Sequence, residues 1–109
     1  MSARVKKHCS LIKLLAKSPL KRRRDILKLA PKELVLSFSE GALNILKGNV
    51  PLTARKKTSL KRYRKNIYDL SSRKTALSTK RAILMSGGAF FPLLASVLIP
   101  AITALIGSR

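Results

Sequence analysis

Lysine and arginine dominate the side chains of this sequence that could do chemistry. The chain of 109 residues holds 24 of them against 4 aspartates and glutamates, which gives a formal net charge of +20. Each positive side chain can displace a counterion from a phosphate group, and this kind of binding requires no catalytic geometry. Repulsion among so many like charges opposes a compact state unless a polyanion neutralises them. The expected partners are therefore nucleic acid or an anionic membrane surface.

The positive side chains follow one another in dense stretches. Residues 1–48 carry 12 basic and 3 acidic residues, and residues 49–84 carry 11 basic residues and one acidic residue, so the second stretch has the densest charge. Sequence-independent binding to nucleic acid needs only that such groups reach phosphates. We predict nucleic-acid contacts from Lys21, Arg22, Arg23, Arg24, Arg55, Lys56, Lys57, Lys61, Arg62, Arg64, Lys65, Arg73, Lys74, Lys80 and Arg81.

Groups for acid–base or nucleophilic catalysis are few. The sequence has four carboxylates, one histidine and one cysteine, and each carboxylate has a basic residue within helical reach, as surface ion pairs do. His8 and Cys9 have no further candidate ligands at metal spacing, and no glycine loop has the pattern of a phosphate-binding loop. We therefore expect that the protein is not an enzyme and uses neither a metal nor another cofactor.

The spacing of apolar residues predicts an all-α fold made of short helices. Helices are expected over residues 3–17, at about 20–29, from Pro31 to a stop at Gly48, and from a cap in residues 50–53 to about Leu70. A last short helix is expected to begin near Ser78. Ser18, before Pro19, should end the first helix and cap the second. The first three helices are predicted to form a small basic bundle over residues 1–48, with residues 49–84 as a strongly basic helical extension.

One tyrosine in the basic extension allows two interpretations. Tyr63 stands between Arg62 and Arg64, where its ring could stack on a base. It also shares a helical face with Leu60 and Ile67, and a tyrosine on such a face usually packs against a core. We expect packing, with this face docked on the bundle.

The C-terminal segment has the opposite character. Residues 82–108 contain no charged side chain, and the stretch from Ala89 to Gly107 approaches the roughly 20 residues that span a bilayer, although Pro92 and Pro100 interrupt it. No polar face of any width remains, so this apolar tail, part of a third segment over residues 85–109, is expected to lie in lipid or in the groove of another protein. A chain ending at Gly88 should then be the more soluble form.

This segment also supports an alternative function. Of the 24 basic residues, only Arg109 follows the apolar segment. By the positive-inside tendency, that distribution is typical of a small tail-anchored or membrane-active protein with a cationic cytoplasmic part.

The boundary between the two kinds of sequence is the run Met85-Ser86-Gly87-Gly88-Ala89. Two adjacent glycines lack the Cβ atoms that restrict a backbone, so the run can serve as a hinge between a helix and the tail. It can also serve as a protease site, because an enzyme that binds extended main chain needs small residues beside the bond and one anchoring side chain nearby. Both interpretations remain open from the residues alone.

Most of the chain resembles a known family of viral proteins. The run MSGGAFFPLLASVLIPAITALIG resembles the end of the adenovirus core protein precursor pX, the precursor of the mu peptide. Residues 44–52, NILKGNVPL, and the basic stretch after them are similar to pX-like proteins of adenovirus-related Polinton and adintovirus elements. The chain differs from adenoviral pX in its long Leu-rich segment ahead of the basic part.

The resemblance implies a virion core nucleoprotein precursor that binds and condenses viral DNA without sequence specificity. Its implied partners are double-stranded DNA and an adenovirus-type maturation protease, with a capsid protein groove or lipid for the tail. By that likeness Met85 anchors the protease, Gly87 and Gly88 are the small pair, and the bond from Gly88 to Ala89 is cut. The implied location is the virion core, and the host nucleus during assembly.

Overall fold

The computed structural model describes residues 7–107, with side chains as far as Ala101, and this part of the chain contains seven helices and no strand. The all-α prediction is confirmed. The helices are α1 (Cys9–Lys17), α2 (Leu20–Leu29), α3 (Lys32–Leu46), α4 (Ala54–Lys61), α5 (Arg64–Ser71), α6 (Leu77–Met85) and α7 (Phe90–Gly107).

Proline and glycine set the ends of the first three helices, as predicted. Pro19 and Pro31 precede α2 and α3 in extended conformation, where the fixed φ of proline suits the entry to a helix. Gly48 follows α3 with a φ of 76°, the left-handed conformation that ends many helices. Ser18 is not the predicted cap of α2, because its hydroxyl donates to the Leu14 carbonyl of α1 at 2.8 Å.

The helix predicted from residue 53 to Leu70 is two helices, broken at Tyr63. Thr53 caps α4 as expected, since its hydroxyl accepts from the Lys56 N–H at 3.2 Å. The break arises because the two halves pack on different partners: α4 lies against α7, and α5 lies against α3 and α6. The Tyr63 ring lies 5.5 Å from the ring of Phe90, so the expectation that this tyrosine packs in the protein is confirmed.

Side chains from all seven helices meet in one hydrophobic core. The most extensive helix contact joins α3 to α5, followed by α1 on α7 and α2 on α6. Each of these three helix pairs contributes fully buried apolar side chains to the core. Among them are Ile12, Leu27, Phe38, Leu70 and Leu94.

The apolar C-terminal segment belongs to this core. Within the described residues, α7 buries Phe90, Phe91, Leu94, Ala95, Val97 and Leu98 against the chain's own helices. The expectation that this stretch needs lipid or another protein to cover it is therefore wrong as far as Ala101. A helix that is apolar on all sides is either a membrane span or a buried core helix, and composition alone does not separate the two. The packing is close, because a Cβ added at Gly41 would lie 2.7 Å from the Leu98 side chain.

No single helix in the described part of the chain is long and apolar enough to cross a bilayer. The pair formed by α6 and residues Phe90–Ala101 meets that requirement only jointly, across a bend of 99°.

Candidate nucleic-acid interface

Eleven of the fifteen predicted phosphate-contacting side chains are exposed. They come from α2, from α4 and α5 with the turn between them, and from the segment that joins α5 to α6. They are Lys21, Arg22, Arg24, Arg55, Lys57, Lys61, Arg62, Arg64, Lys65, Arg73 and Lys74. All of these side chains are open to solvent, so phosphates can reach them without any rearrangement of the core. Arg24 also makes a hydrogen bond inside the protein, to the Met85 carbonyl, but remains exposed.

The α4–α5 pair gathers the densest group of these cations. Lys57, Lys61 and Arg64 line one shallow cleft of about 240 Å³ whose floor is apolar. Leu60 and Ile67 contribute to this floor and continue into the hydrophobic core, which fixes the two helices in place. The broken helix therefore presents positive side chains of both halves to solvent. We call its exposed cations the α4–α5 face; they are Arg55, Lys57, Lys61, Arg62, Arg64 and Lys65.

Few carboxylates neutralise the exposed cations. Between two described residues the structure has a single ion pair, in which Lys65 donates to Asp69 at 2.7 Å within α5. The Lys65 side chain is 86% exposed, and such surface pairs contribute only about 0.3–0.5 kcal/mol. The positive charge of the α4–α5 face therefore remains available to an external anion.

The other four predicted side chains serve the fold. Lys56 donates to the Ser96 carbonyl and hydroxyl at 3.1 and 2.9 Å, which ties α4 to α7. Arg81 donates to the Leu27 and Ala30 carbonyls at the C-terminal end of α2, where the helix dipole favours a cation. Because these bonds are internal, we leave both residues out of the proposed interface.

Arg23 and Lys80 are buried, each 5% exposed. The Arg23 guanidinium donates to the Ser86 carbonyl at 3.0 Å and lies 4.5 Å from the centre of the Phe91 ring, a cation–π distance. Burial, and secondly the charge of Arg24, lower the pKa of Arg23. Both residues are therefore also left out of the proposed interface.

The glycine pair forms an exposed loop between α6 and α7. Gly87, Gly88 and Ala89 are exposed, whereas Met85 and Ser86 are half-buried. Gly88 has a φ of 86°, which a residue with a Cβ rarely adopts. A Cβ at Gly87 would make only ordinary contacts, the nearest being Leu20 at 3.7 Å. The turn thus requires glycine at the second position of the pair and tolerates other residues at the first.

Two neighbouring arginines of α2 hold this loop. Arg24 donates to the Met85 carbonyl at 2.9 Å, and Arg23 donates to the next carbonyl, that of Ser86. The Met85 side chain also packs against the core. In the folded chain the predicted anchor for a protease is therefore partly covered, and the main chain beside it is already hydrogen-bonded.

Comparisons of this chain with known proteins found no relative. The chain matches no protein-family model, no curated protein and no solved structure. The class of protein that the fold and the surface define is a small all-α protein with a strongly cationic exterior.

Proposed function

We propose that this chain is a structural nucleic-acid-binding protein, a virion core nucleoprotein precursor that binds and condenses double-stranded DNA without sequence preference. The observation that carries the proposal is the set of exposed cations, densest on the α4–α5 face, in a chain of net charge +20. The resemblance to adenovirus pX-like proteins supports the viral setting. It also adds the expectation that a maturation protease cuts the bond between Gly88 and Ala89.

Binding through phosphates follows from the kind of side chain that is exposed. The eleven exposed predicted contacts are all lysine or arginine. Tyr63, which could otherwise stack on a base, is packed against Phe90. Contacts to phosphates carry no direct sequence information. The proposed complex is therefore governed by charge, and its affinity should depend little on base sequence.

A comparison of two duplexes tests this absence of sequence preference. We expect the full chain to bind two duplexes of equal length and unlike sequence with dissociation constants within about threefold of each other at the same salt concentration. A sequence-specific protein typically separates its site from other DNA by about 10³-fold or more. Fluorescence anisotropy measures both constants, and a difference of that larger size would contradict the proposal.

The proposed cut requires the loop to leave its folded conformation. A protease that reads extended main chain must release the Met85 and Ser86 carbonyls from Arg24 and Arg23. Because Arg24 is exposed and its guanidinium bond is a surface contact, Arg24→Gln is expected to speed the cut at Gly88 several-fold without unfolding the protein. Lys21→Gln is the matched control, since it removes the same charge from the same helix, and the hydrogen bonds from α2 to the loop come from Arg23 and Arg24.

Mass spectrometry after incubation with an adenovirus-type maturation protease reads out this prediction. We expect a new N-terminus at Ala89, blocked by Gly87→Val, because the added side chain meets the enzyme's main chain, and little affected by Ser86→Ala. An intact chain, or a new N-terminus anywhere else, would show that the glycine pair is only a turn. Equal rates for the Arg24 and Lys21 variants would show that the arginine contact does not restrain the loop.

A further inference from the structure

A second cleft, of about 450 Å³, lies between α3, α6 and the segment that joins α5 to α6. Its lining differs from the apolar floor of the α4–α5 face, because it combines the buried Lys80 with the hydroxyl groups of Ser39 and Thr75. Arg73, which is exposed, contributes a second positive group.

The Lys80 ammonium is the unusual group in this cleft. It is 5% exposed, and its hydrogen-bond acceptor among the described residues is a neutral one, the Ser39 hydroxyl at 2.7 Å. An ammonium carries three donors, so two remain beyond that bond. Burial lowers the pKa of Lys80. A buried charge with a neutral partner is a position that an anion would stabilise.

The rest of the lining indicates what kind of anion fits. Arg73 and Lys80 supply two positive charges against the one carboxylate of the lining, that of Glu40, so the cleft keeps a net positive charge. Leucine side chains make its apolar walls, from α3 and from the start of α6; they are Leu36, Leu43 and Leu77. The lining of the cleft therefore offers both positive groups and apolar surface to a ligand.

We propose that this cleft binds a small organic oxyanion, with its carboxylate or phosphate group at Lys80 and Arg73 and a short apolar body against the leucines. The site does not depend on the proposed function, because the volume, the burial of Lys80 and the apolar walls are independent of DNA binding. The proposed oxyanion site gives Lys80 and Arg73 a common role, although the two residues lie seven positions apart in the sequence.

Titration of the full chain with hexanoate tests the proposal. Ionic strength is held constant by exchange against chloride, and binding is followed by the amide chemical shifts of a ¹⁵N-labelled chain. We expect saturable shifts centred on Ser39, Thr75 and Lys80, with acetate binding at least about tenfold more weakly because it lacks the apolar body. Shifts scattered over the positive surface, or hexanoate no tighter than acetate, would overturn the proposal.

Two adjacent exposed residues give a matched pair of variants. Arg73→Gln and Lys74→Gln each remove one positive charge, but only Arg73 lines the cleft. We expect the dissociation constant for hexanoate to rise several-fold in the Arg73 variant and to stay unchanged in the Lys74 variant. Lys80→Met, which keeps an apolar stem, should raise it by about tenfold or more, since a bond to a charged group is lost. Equal constants in the Arg73 and Lys74 variants would overturn the site, even where the Lys80 variant fails to fold.

Discussion

A chain ending at Gly88 is expected to lose cooperative thermal unfolding, because it lacks all of α7. Six side chains between Phe90 and Leu98 are buried in the full chain. Truncating one buried leucine or phenylalanine to alanine costs about 2–5 kcal/mol, and a small domain has only about 5–15 kcal/mol of stability in total. Far-ultraviolet circular dichroism during heating measures the transition. A chain ending at Gly88 that melts as sharply and at the same temperature as the full chain would contradict the placement of α7.

Two leucine substitutions provide a sharper form of this test. Leu98 is 1% exposed in α7, whereas Leu29 is 89% exposed at the end of α2. We expect Leu98→Ala to lower the free energy of unfolding by about 2–5 kcal/mol, and Leu29→Ala to change it by no more than about 0.5 kcal/mol. Chemical denaturation of the two variants measures both values. Similar small effects would show that α7 is not part of the core.

The second large effect is expected on DNA binding. Replacing Lys61, Arg62, Arg64 and Lys65 together with glutamine should weaken binding to every duplex alike, on the order of 100-fold at moderate salt, because about four phosphate contacts are lost. The same change should flatten the slope of log affinity against log salt by about 3 to 4. Fluorescence anisotropy at several salt concentrations gives both quantities.

An equally charged control variant locates the effect on the α4–α5 face. Lys13, Lys17, Lys28 and Lys32 are exposed and lie on the first three helices. Replacing these four with glutamine lowers the net charge by the same amount, from +20 to +16. We expect the control to weaken binding much less. Equal losses in both variants would mean that binding is spread over the whole cationic surface and that the α4–α5 face has no special part.

The sequence predicted the helix ends where a single residue determines the backbone. Pro19, Pro31 and Gly48 act through local geometry, so α2 and α3 were predicted within one or two residues. The break at Tyr63 could not be predicted in this way. It depends on α4 and α5 having different partners, and contacts between residues far apart in sequence decide that.

Composition alone could not predict the surroundings of the apolar tail, which is α7 in the structure. The same uncharged stretch suits a bilayer or a protein core, and the presence of complementary faces on helices such as α1, α3 and α4 decides between them. Residues 7–101 provide those faces, so α7 is covered by its own chain as far as its side chains are described.

The two buried cations did carry a signal in the sequence. Arg23 lies three residues after Leu20 and four before Leu27, and Lys80 lies three after Leu77 and four before Leu84. These spacings place each cation on the apolar stripe of its helix, so it points toward the core. A count of charges treats all 24 basic residues alike, whereas this spacing marks Arg23 and Lys80 as candidates for burial.

The salt dependence of duplex binding by the full chain tests the central claim most directly. If the exposed cations contact about 6 to 10 phosphates, log affinity should fall against log salt with a slope of about −5 to −9. The measurement is a series of anisotropy titrations of one duplex, with the chain intact and only the salt concentration varied. A slope in that range is the result we predict, and a slope near zero would contradict binding through phosphates.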